Sequence, residues 1–172
     1  YGVEPDLFTF NEANIGVMLL IDGEEHRDLI KAIGADLERR GLKTKMLLGD
    51  VGSARGSIGF TLPTADDPEA LPYVGAVAFH SWGGASPEEY GAWRDLARRL
   101  GVPLLVTELG VDAQAYRDES FHQYQYAVEE ARMYQELLLH AQPQGTMQWE
   151  FTGDYALGWD RNGKVEPTPR YW

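Results

Sequence analysis

Two glutamates, Glu12 and Glu108, each end a short apolar run of the 172-residue chain, at residues 7–12 and 103–108. A strand buried between helical layers is expected to be continuously apolar, so a carboxylate at its end is either a solvated rim residue or placed there for chemistry. In parallel α/β folds, functional sites gather at the carboxyl ends of strands. The two acids therefore suggest a general acid and a nucleophile, the pair that cleaves a glycosidic bond.

The elements that position these acids alternate in the pattern of βα units. Helices are predicted at residues 24–40, 87–100 and 120–142, and strands at residues 7–10, 45–49, 74–79, 104–107 and 145–149. Short apolar runs alternating with amphipathic runs predict an α/β fold with a parallel sheet. A closed (β/α)8 barrel needs eight strands and roughly 200 to 250 residues. The predicted fold is therefore a partial (β/α)8 TIM barrel, a single incomplete domain over residues 1–172.

The segment 51–72 interrupts the alternation with several glycines and prolines, and it is longer than a usual βα loop. Its glycines do not form a phosphate-binding loop, because no Gly-Lys-Ser/Thr sequence ends the run. We expect a surface excursion at the mouth of the barrel.

Composition excludes several classes of partner. The net charge of -12, from 27 acidic and 15 basic residues, disfavours nucleic acid and anionic membrane surfaces. No apolar stretch approaches the ~18 residues of a membrane span, and the absence of cysteine rules out disulfides and thiolate chemistry. The chain begins at Tyr1 without an initiator Met, so we expect the natural N-terminus to be missing. A chain without cysteine suits the cytosol and the bacterial exterior alike, so the compartment stays open between cytoplasmic and secreted.

The Asn11-Glu12 pair, Glu108 and Trp149, at the ends of three predicted strands, together resemble clan A of the retaining glycoside hydrolases. In that clan an Asn-Glu pair ends the fourth barrel strand and supplies the acid/base, and a second Glu ends the seventh strand as nucleophile. The resemblance implies that Glu12 is the acid/base and Glu108 the nucleophile, that Trp149 lies on the eighth strand, and that strands one to three are absent. It also implies a β-linked carbohydrate substrate and no cofactor.

This chain departs from the clan at two places. Ala13 follows Asn11-Glu12 where many members have Pro, and no tyrosine stands in residues 79–82, where one often supports the nucleophile. Placement in a particular family of the clan is therefore open.

Other residues at the strand ends are candidates for binding sugar. Asn11 could donate a hydrogen bond to a sugar hydroxyl or cap the loop. Trp149 and Trp82 could stack on a pyranose ring or belong to the core.

A second group of candidates has a positioning alternative. His80 could orient Glu108, contact sugar or pack in the core. Asp50 could form the pocket wall or cap the loop, and the turn at residues 152–155 could bring Tyr155 to the rim of a subsite. His26 and the other two helical histidines lack metal-ligand spacing, so no metal site is predicted.

Two further hypotheses assign the chain to other classes of protein. The chain could be a non-catalytic carbohydrate-binding barrel fragment, or a metal-dependent α/β barrel enzyme, which the lack of clustered ligands argues against. An incomplete barrel also predicts a partner, either a missing N-terminal segment or a further chain that completes it.

The distance between the Glu12 and Glu108 carboxyl groups distinguishes two stereochemical outcomes. A distance of ~5 to 5.5 Å predicts retention, and one of ~6.5 to 9.5 Å predicts inversion.

Overall fold

The computed structural model describes residues 2–151 and 155–168, and its central feature is a curled sheet of five parallel strands. In spatial order they are β1 (Leu7–Phe8), β2 (Lys45–Val51), β3 (Val74–His80), β4 (Leu104–Leu109) and β5 (Gly145–Gln148). Each strand pairs with the next strand along the chain. This arrangement confirms the predicted partial (β/α)8 barrel.

Helices connect the strands on the outer face of the sheet. They are α1 (Gly23–Arg39), the short α2 (Leu62–Ala65), α3 (Pro87–Leu100) and α4 (Tyr124–Glu136), which continues as a π-helical turn over Leu137–Ala141. The predicted helix at 120–142 is divided, because a 3-10 turn at Ser120–His122 ends at an extended Gln123. None of the helices in the described part of the chain is long and apolar enough to cross a membrane.

Side-chain caps fix where α1 and α3 begin. The Asp22 side chain accepts hydrogen bonds from the backbone N–H groups of Glu24 and Glu25, and the Glu25 carboxylate accepts one from the Asp22 N–H. Ser86 and Glu89 form the same reciprocal box at α3. A cap of this kind contributes about 1 kcal/mol.

The main core lies between the sheet and the helices. Trp93 of α3 is fully buried against Phe79 of β3, with ring centroids 5.3 Å apart. Its indole N–H donates to the Ala54 carbonyl at 3.1 Å, so the polar atom of this ring is also satisfied. Gly49 allows β2 to lie close to β3, since a Cβ at Gly49 would be 2.5 Å from the Ala78 carbonyl oxygen.

The concave face of the sheet is incompletely covered. Leu47 and Ala78 are buried there, whereas Leu7 and Leu105 are half-buried and Met147 is 57% exposed. The four side chains other than Ala78 border a cavity of about 330 Å³ that extends up to His80. In a closed barrel such positions are filled by layers of side chains from all the strands.

The segment 51–72 is more ordered than a surface excursion. It contains α2 between two 3-10 turns, at Ile58–Phe60 and Leu71–Tyr73. Ser53 Oγ donates to the Trp82 carbonyl at 2.8 Å, and the Arg55 guanidinium donates to the Gly83 carbonyl at 2.6 Å. The segment therefore packs against the turn that follows β3.

A hairpin near the C-terminus was not among the predicted elements. It consists of β6 (Gly158–Arg161) and β7 (Lys164–Pro167), which pair in antiparallel fashion. Asn162 and Gly163 link the strands with φ of 56° and 77°, the backbone that an Asn-Gly hairpin turn requires. That dipeptide was the signal in the sequence.

Candidate active site

The two glutamates lie on the same edge of the sheet. Glu108 is on β4, in register with His80 of β3. Glu12 follows β1 in the left-handed backbone region with φ 49°, and its N–H donates to the Asp50 carbonyl at 2.9 Å. This bond attaches the loop after β1 to the end of β2, which directs Glu12 towards Glu108.

His80 lies between the two glutamates. Its Nδ1 atom is 3.1 Å from Glu12 Oε1 and 3.2 Å from Glu108 Oε2. The imidazole is fully buried, and both carboxylates are largely buried. One N–H group of the histidine is therefore shared between the two acids.

Asp50 lies on the other side of the imidazole. Its Oδ1 is 3.3 Å from His80 Nε2, which is an ion-pair distance, although the geometry falls outside that of a hydrogen bond. Thr107 donates a short hydrogen bond to Oδ1, and Thr9 donates to Oδ2 at 2.6 Å. The Asp50 carboxylate is thus held on both oxygens.

These contacts determine the charge of the histidine. Burial acts to lower the pKa of His80, but contacts with the carboxylates of Asp50, Glu108 and Glu12 outweigh it and raise that pKa to about 11. Burial acts to raise the pKa of Asp50, and contacts with His80, Thr107 and Thr9 outweigh it and lower that pKa. At neutral pH His80 is therefore an imidazolium.

The separation of the two glutamates is short. One carboxylate oxygen of Glu12 and one of Glu108 lie within 4.8 Å of each other. That spacing is close to the ~5 to 5.5 Å of retaining glycosidases and below the ~6.5 to 9.5 Å of inverting ones.

The same two acids border an open cleft of about 270 Å³. Its walls are largely aromatic. They are formed by Asn11, Glu12, Val17, Trp82, Glu108, Ala113, Tyr116, Trp149 and Tyr155. The cleft brings together six of the predicted site residues, namely Asn11, Trp82, Trp149, Tyr155 and the two glutamates. The other two, His80 and Asp50, lie beneath it, against the interior cavity.

Trp149 and Tyr155 meet the cleft in different ways. Trp149 is 37% exposed. The preceding Gln148 turns outward to accept a hydrogen bond from Tyr134 at 2.7 Å. Tyr155 is buried, and its hydroxyl donates to the Asp112 carbonyl at 2.6 Å. Burial raises the pKa of Tyr155 to about 12. Because its hydroxyl is bonded to Asp112, the residue lines the cleft with its ring.

Trp82 contacts Glu108 directly. Its indole N–H donates to Glu108 Oε2 at 3.0 Å, and its ring packs against Tyr155 with centroids 5.7 Å apart. Gly110 leaves room for the indole, since a Cβ there would lie 2.1 Å from a Trp82 ring carbon. The absence of a side chain at position 110 is thus a condition for the Trp82–Glu108 bond.

We expect Gly110→Ala to lower the free energy of unfolding by about 1–3 kcal/mol, the usual cost of overpacking. Trp82 would have to leave its place and give up the bond to Glu108. Urea unfolding measures the effect. Gly59→Ala is the matched control, because a Cβ at Gly59 meets no atom within 4 Å. Equal stabilities of the two variants would contradict the packing described for Trp82.

His26 illustrates a buried histidine of the opposite kind. It accepts a hydrogen bond from the Gly49 N–H at 3.3 Å and lies between the rings of Phe10 and Phe60. Burial lowers the pKa of His26 to about 4, although Asp50 acts in the other direction. It is a neutral packing residue.

Five residues of the site were not predicted. Thr9 and Thr107 hold Asp50, and Val17, Ala113 and Tyr116 line the cleft. The threonines had a signal in the sequence, since each is a hydroxyl residue near the end of an apolar strand. Val17 and Tyr116 lie in irregular segments, where the sequence has no periodicity that orients a side chain.

The described residues contain one compact group of possible metal ligands, formed by Glu12, His80 and Glu108. The geometry favours a proton at its centre, because His80 Nδ1 is within hydrogen-bond distance of both carboxylates. A protonated nitrogen has no lone pair for a metal ion. The arrangement therefore suits proton transfer better than metal binding.

Comparison with known proteins gives a likeness in fold. No protein-family model and no curated protein sequence matches the chain. Three similar solved structures belong to glycoside hydrolase family 30. An endoxylanase from Clostridium papyrosolvens has a TM-score of 0.68 at 14% identity over 91% of this chain. The catalytic domain of xylanase C from Talaromyces cellulolyticus has 0.67 at 12% over 97%, and a subfamily 8 xylanase from Clostridium acetobutylicum has 0.66 at 17% over 93%.

The chain spans 37%, 39% and 38% of the length of these three proteins. At such identities the likeness shows a shared fold. It agrees with a partial barrel, since the similar proteins are much longer chains.

Proposed function

We propose that this protein is a retaining glycoside hydrolase in which Glu108 is the nucleophile and Glu12 is the acid/base. The observation that carries the proposal is the pair of carboxylate oxygens within 4.8 Å of each other, one after β1 and the other on β4, at the same edge of the sheet. That spacing lets one carboxylate attack the anomeric carbon while the other reaches the leaving oxygen.

The contacts of the pair support this division of roles. Glu108 Oε2 faces both the Trp82 indole N–H and His80 Nδ1, and two such groups stabilise negative charge on one oxygen. A charged carboxylate is what the attack on the anomeric carbon requires. Glu12 Oε1 also faces His80 Nδ1, but the Trp82 N–H is directed at Glu108.

In the first step an oxygen of Glu108 forms a bond to the anomeric carbon as the glycosidic C–O bond breaks. The bonding pair moves to the leaving oxygen, which takes the proton of Glu12. In the second step Glu12, now a carboxylate, removes a proton from water as the water attacks the same carbon. The ester to Glu108 breaks, and each displacement inverts the carbon, so the configuration is retained overall.

The aromatic walls of the cleft suit a sugar ring. Trp149 presents an exposed indole face for the C–H face of a pyranose. Asn11 lies beside Glu12 and could hydrogen-bond the hydroxyl next to the reacting carbon. Because the three similar structures are xylanases, β-linked xylan is the first substrate to test.

We also propose that three further strands close the barrel beside β1 and β5. Leu7, Leu105 and Met147 face the concave side of the sheet and are incompletely covered. Exposed parallel edges and uncovered apolar side chains are both unfavourable in water. The missing strands would come from an N-terminal segment of the same protein or from another chain, and activity is best assayed with that closed form.

The stereochemistry of the product tests the proposed reaction. We expect proton NMR of the first minutes of hydrolysis of a β-xyloside to show the β-anomer of the sugar before mutarotation. Initial appearance of the α-anomer would exclude Glu108 as nucleophile. Saturable binding of xylo-oligosaccharides by calorimetry, with no hydrolysis, would favour a non-catalytic carbohydrate-binding protein.

A further inference from the structure

Asp50 is close to the reacting carboxylates yet does not line the aromatic cleft. Only 2% of its surface is exposed, and its oxygens face Thr9, Thr107 and the far side of the His80 ring. A carboxylate so placed cannot reach a sugar in the cleft. His80 is the side chain that contacts this carboxylate and both reacting acids.

The orientation of the His80 ring is set from both ends. Nε2 faces Asp50 at 3.3 Å, and Nδ1 faces Glu12 and Glu108 at 3.1 and 3.2 Å. Rotation of the ring would break these three ion pairs together. The backbone adds to the constraint, because the Asp50 carbonyl also accepts the N–H of Glu12.

We propose that Asp50 is a positioning residue, which holds His80 with its Nδ1–H midway between the carboxylates of Glu12 and Glu108. The catalytic consequence of this inference rests on the proposed function, whereas the state of His80 can be tested without any activity.

Equal distances from His80 matter because negative charge changes place during the proposed reaction. Glu108 is the anion before the glycosyl ester forms, and Glu12 is the anion after it has protonated the leaving oxygen. A cation 3.1 Å from one oxygen and 3.2 Å from the other stabilises both arrangements to nearly the same degree. The site then needs little reorganisation as the charge moves.

The charged groups around His80 come from three strand ends. Glu12 faces it from the loop after β1, Asp50 from β2 and Glu108 from β4. His26 on α1 interacts electrostatically with Asp50, but it is neutral because burial lowers its pKa. Of the three carboxylates, Asp50 is the one to which the proposed mechanism assigns no change of charge, so it maintains the histidine as a cation throughout.

Asp50→Asn tests the inference, because it keeps the shape of the side chain and removes its charge. Without that carboxylate, burial still acts to lower the pKa of His80, so the titration midpoint of the ring should fall by about one to three pH units. Nitrogen-15 NMR of the ring measures this midpoint. We also expect kcat to fall by roughly tenfold to a hundredfold, with KM nearly unchanged, since Asp50 does not touch the cleft.

Asp95→Asn is the matched control, since Asp95 is exposed on α3 and pairs with the adjacent Arg94. The control should leave the His80 midpoint in place. A midpoint in Asp50→Asn equal to that of the parent would overturn the inference.

The parent protein provides a second measurement, which holds even where Asp50→Asn does not fold. Both ring nitrogens of His80 should carry protons at pH 8. A neutral ring at pH 8 would overturn the role of Asp50. A parent that has the charged ring but hydrolyses no glycoside would instead refute the proposed function and leave the positioning of His80 supported.

Discussion

Replacing Glu108 with Gln should lower kcat for an aryl β-glycoside by at least about 10⁴-fold, the scale seen when a covalent nucleophile is removed. The amide cannot attack the anomeric carbon, so no glycosyl ester forms. Gln keeps a carbonyl oxygen that can still accept the Trp82 N–H, so the fold should persist. Steady-state kinetics measures the loss, and thermal unfolding checks the fold.

Glu38→Gln is the matched control for this experiment. Glu38 is exposed on α1 and does not line the cleft. Its replacement should leave the rate within a factor of about two, as is usual for surface changes. Similar rates in Glu108→Gln and the parent would refute the nucleophile assignment. They would direct attention to an inverting or metal-assisted reaction.

Glu12→Ala should produce a loss that depends on the leaving group. For a substrate with a poorly acidic leaving group, kcat/KM should fall by about 10² to 10⁴-fold, the usual contribution of a general acid. A nitrophenyl glycoside needs no proton donor, so its ester with Glu108 should still form. Hydrolysis of that ester then becomes slow, because water lacks its base.

Sodium azide distinguishes the acid/base from a residue that merely supports the fold. A small anionic nucleophile needs no base and should attack the ester through the space that Glu12 vacates. We expect azide to restore turnover of the nitrophenyl glycoside and to give the β-glycosyl azide. Absence of rescue in a folded Glu12→Ala protein, or an equal loss for all leaving groups, would contradict the assignment.

The sheet was predictable because its strands carry a strong local signal. Most of the strands are short apolar runs next to an amphipathic helix, and all five appear in the predicted order. The ends of elements were less predictable. β1 stops at Phe8, two residues earlier than predicted, because residues 9–12 turn towards β2, where the Glu12 N–H reaches the Asp50 carbonyl.

The convergence of the strand-end residues was predictable, whereas the contacts between their side chains were not. Strand ends at one edge of a sheet converge, so the sequence could place Glu12, His80 and Glu108 near one another. It could not show that the His80 ring bridges the two glutamates, since this depends on side-chain rotamers and on the left-handed backbone at Glu12. Likewise, Asp50 was a candidate for the pocket wall, and only its contacts with Thr9 and Thr107 place it beneath the cleft.

The ordered segment between β2 and β3 has a consequence for exchanging segments between proteins of this fold. Ser53 and Arg55 hold the carbonyls of Trp82 and Gly83, and Trp82 in turn holds Glu108. A chimera in which this segment is replaced by one of another length would therefore also displace Trp82. The segment and the turn after β3 should be transplanted as one module, with crossover points inside β2 and α3.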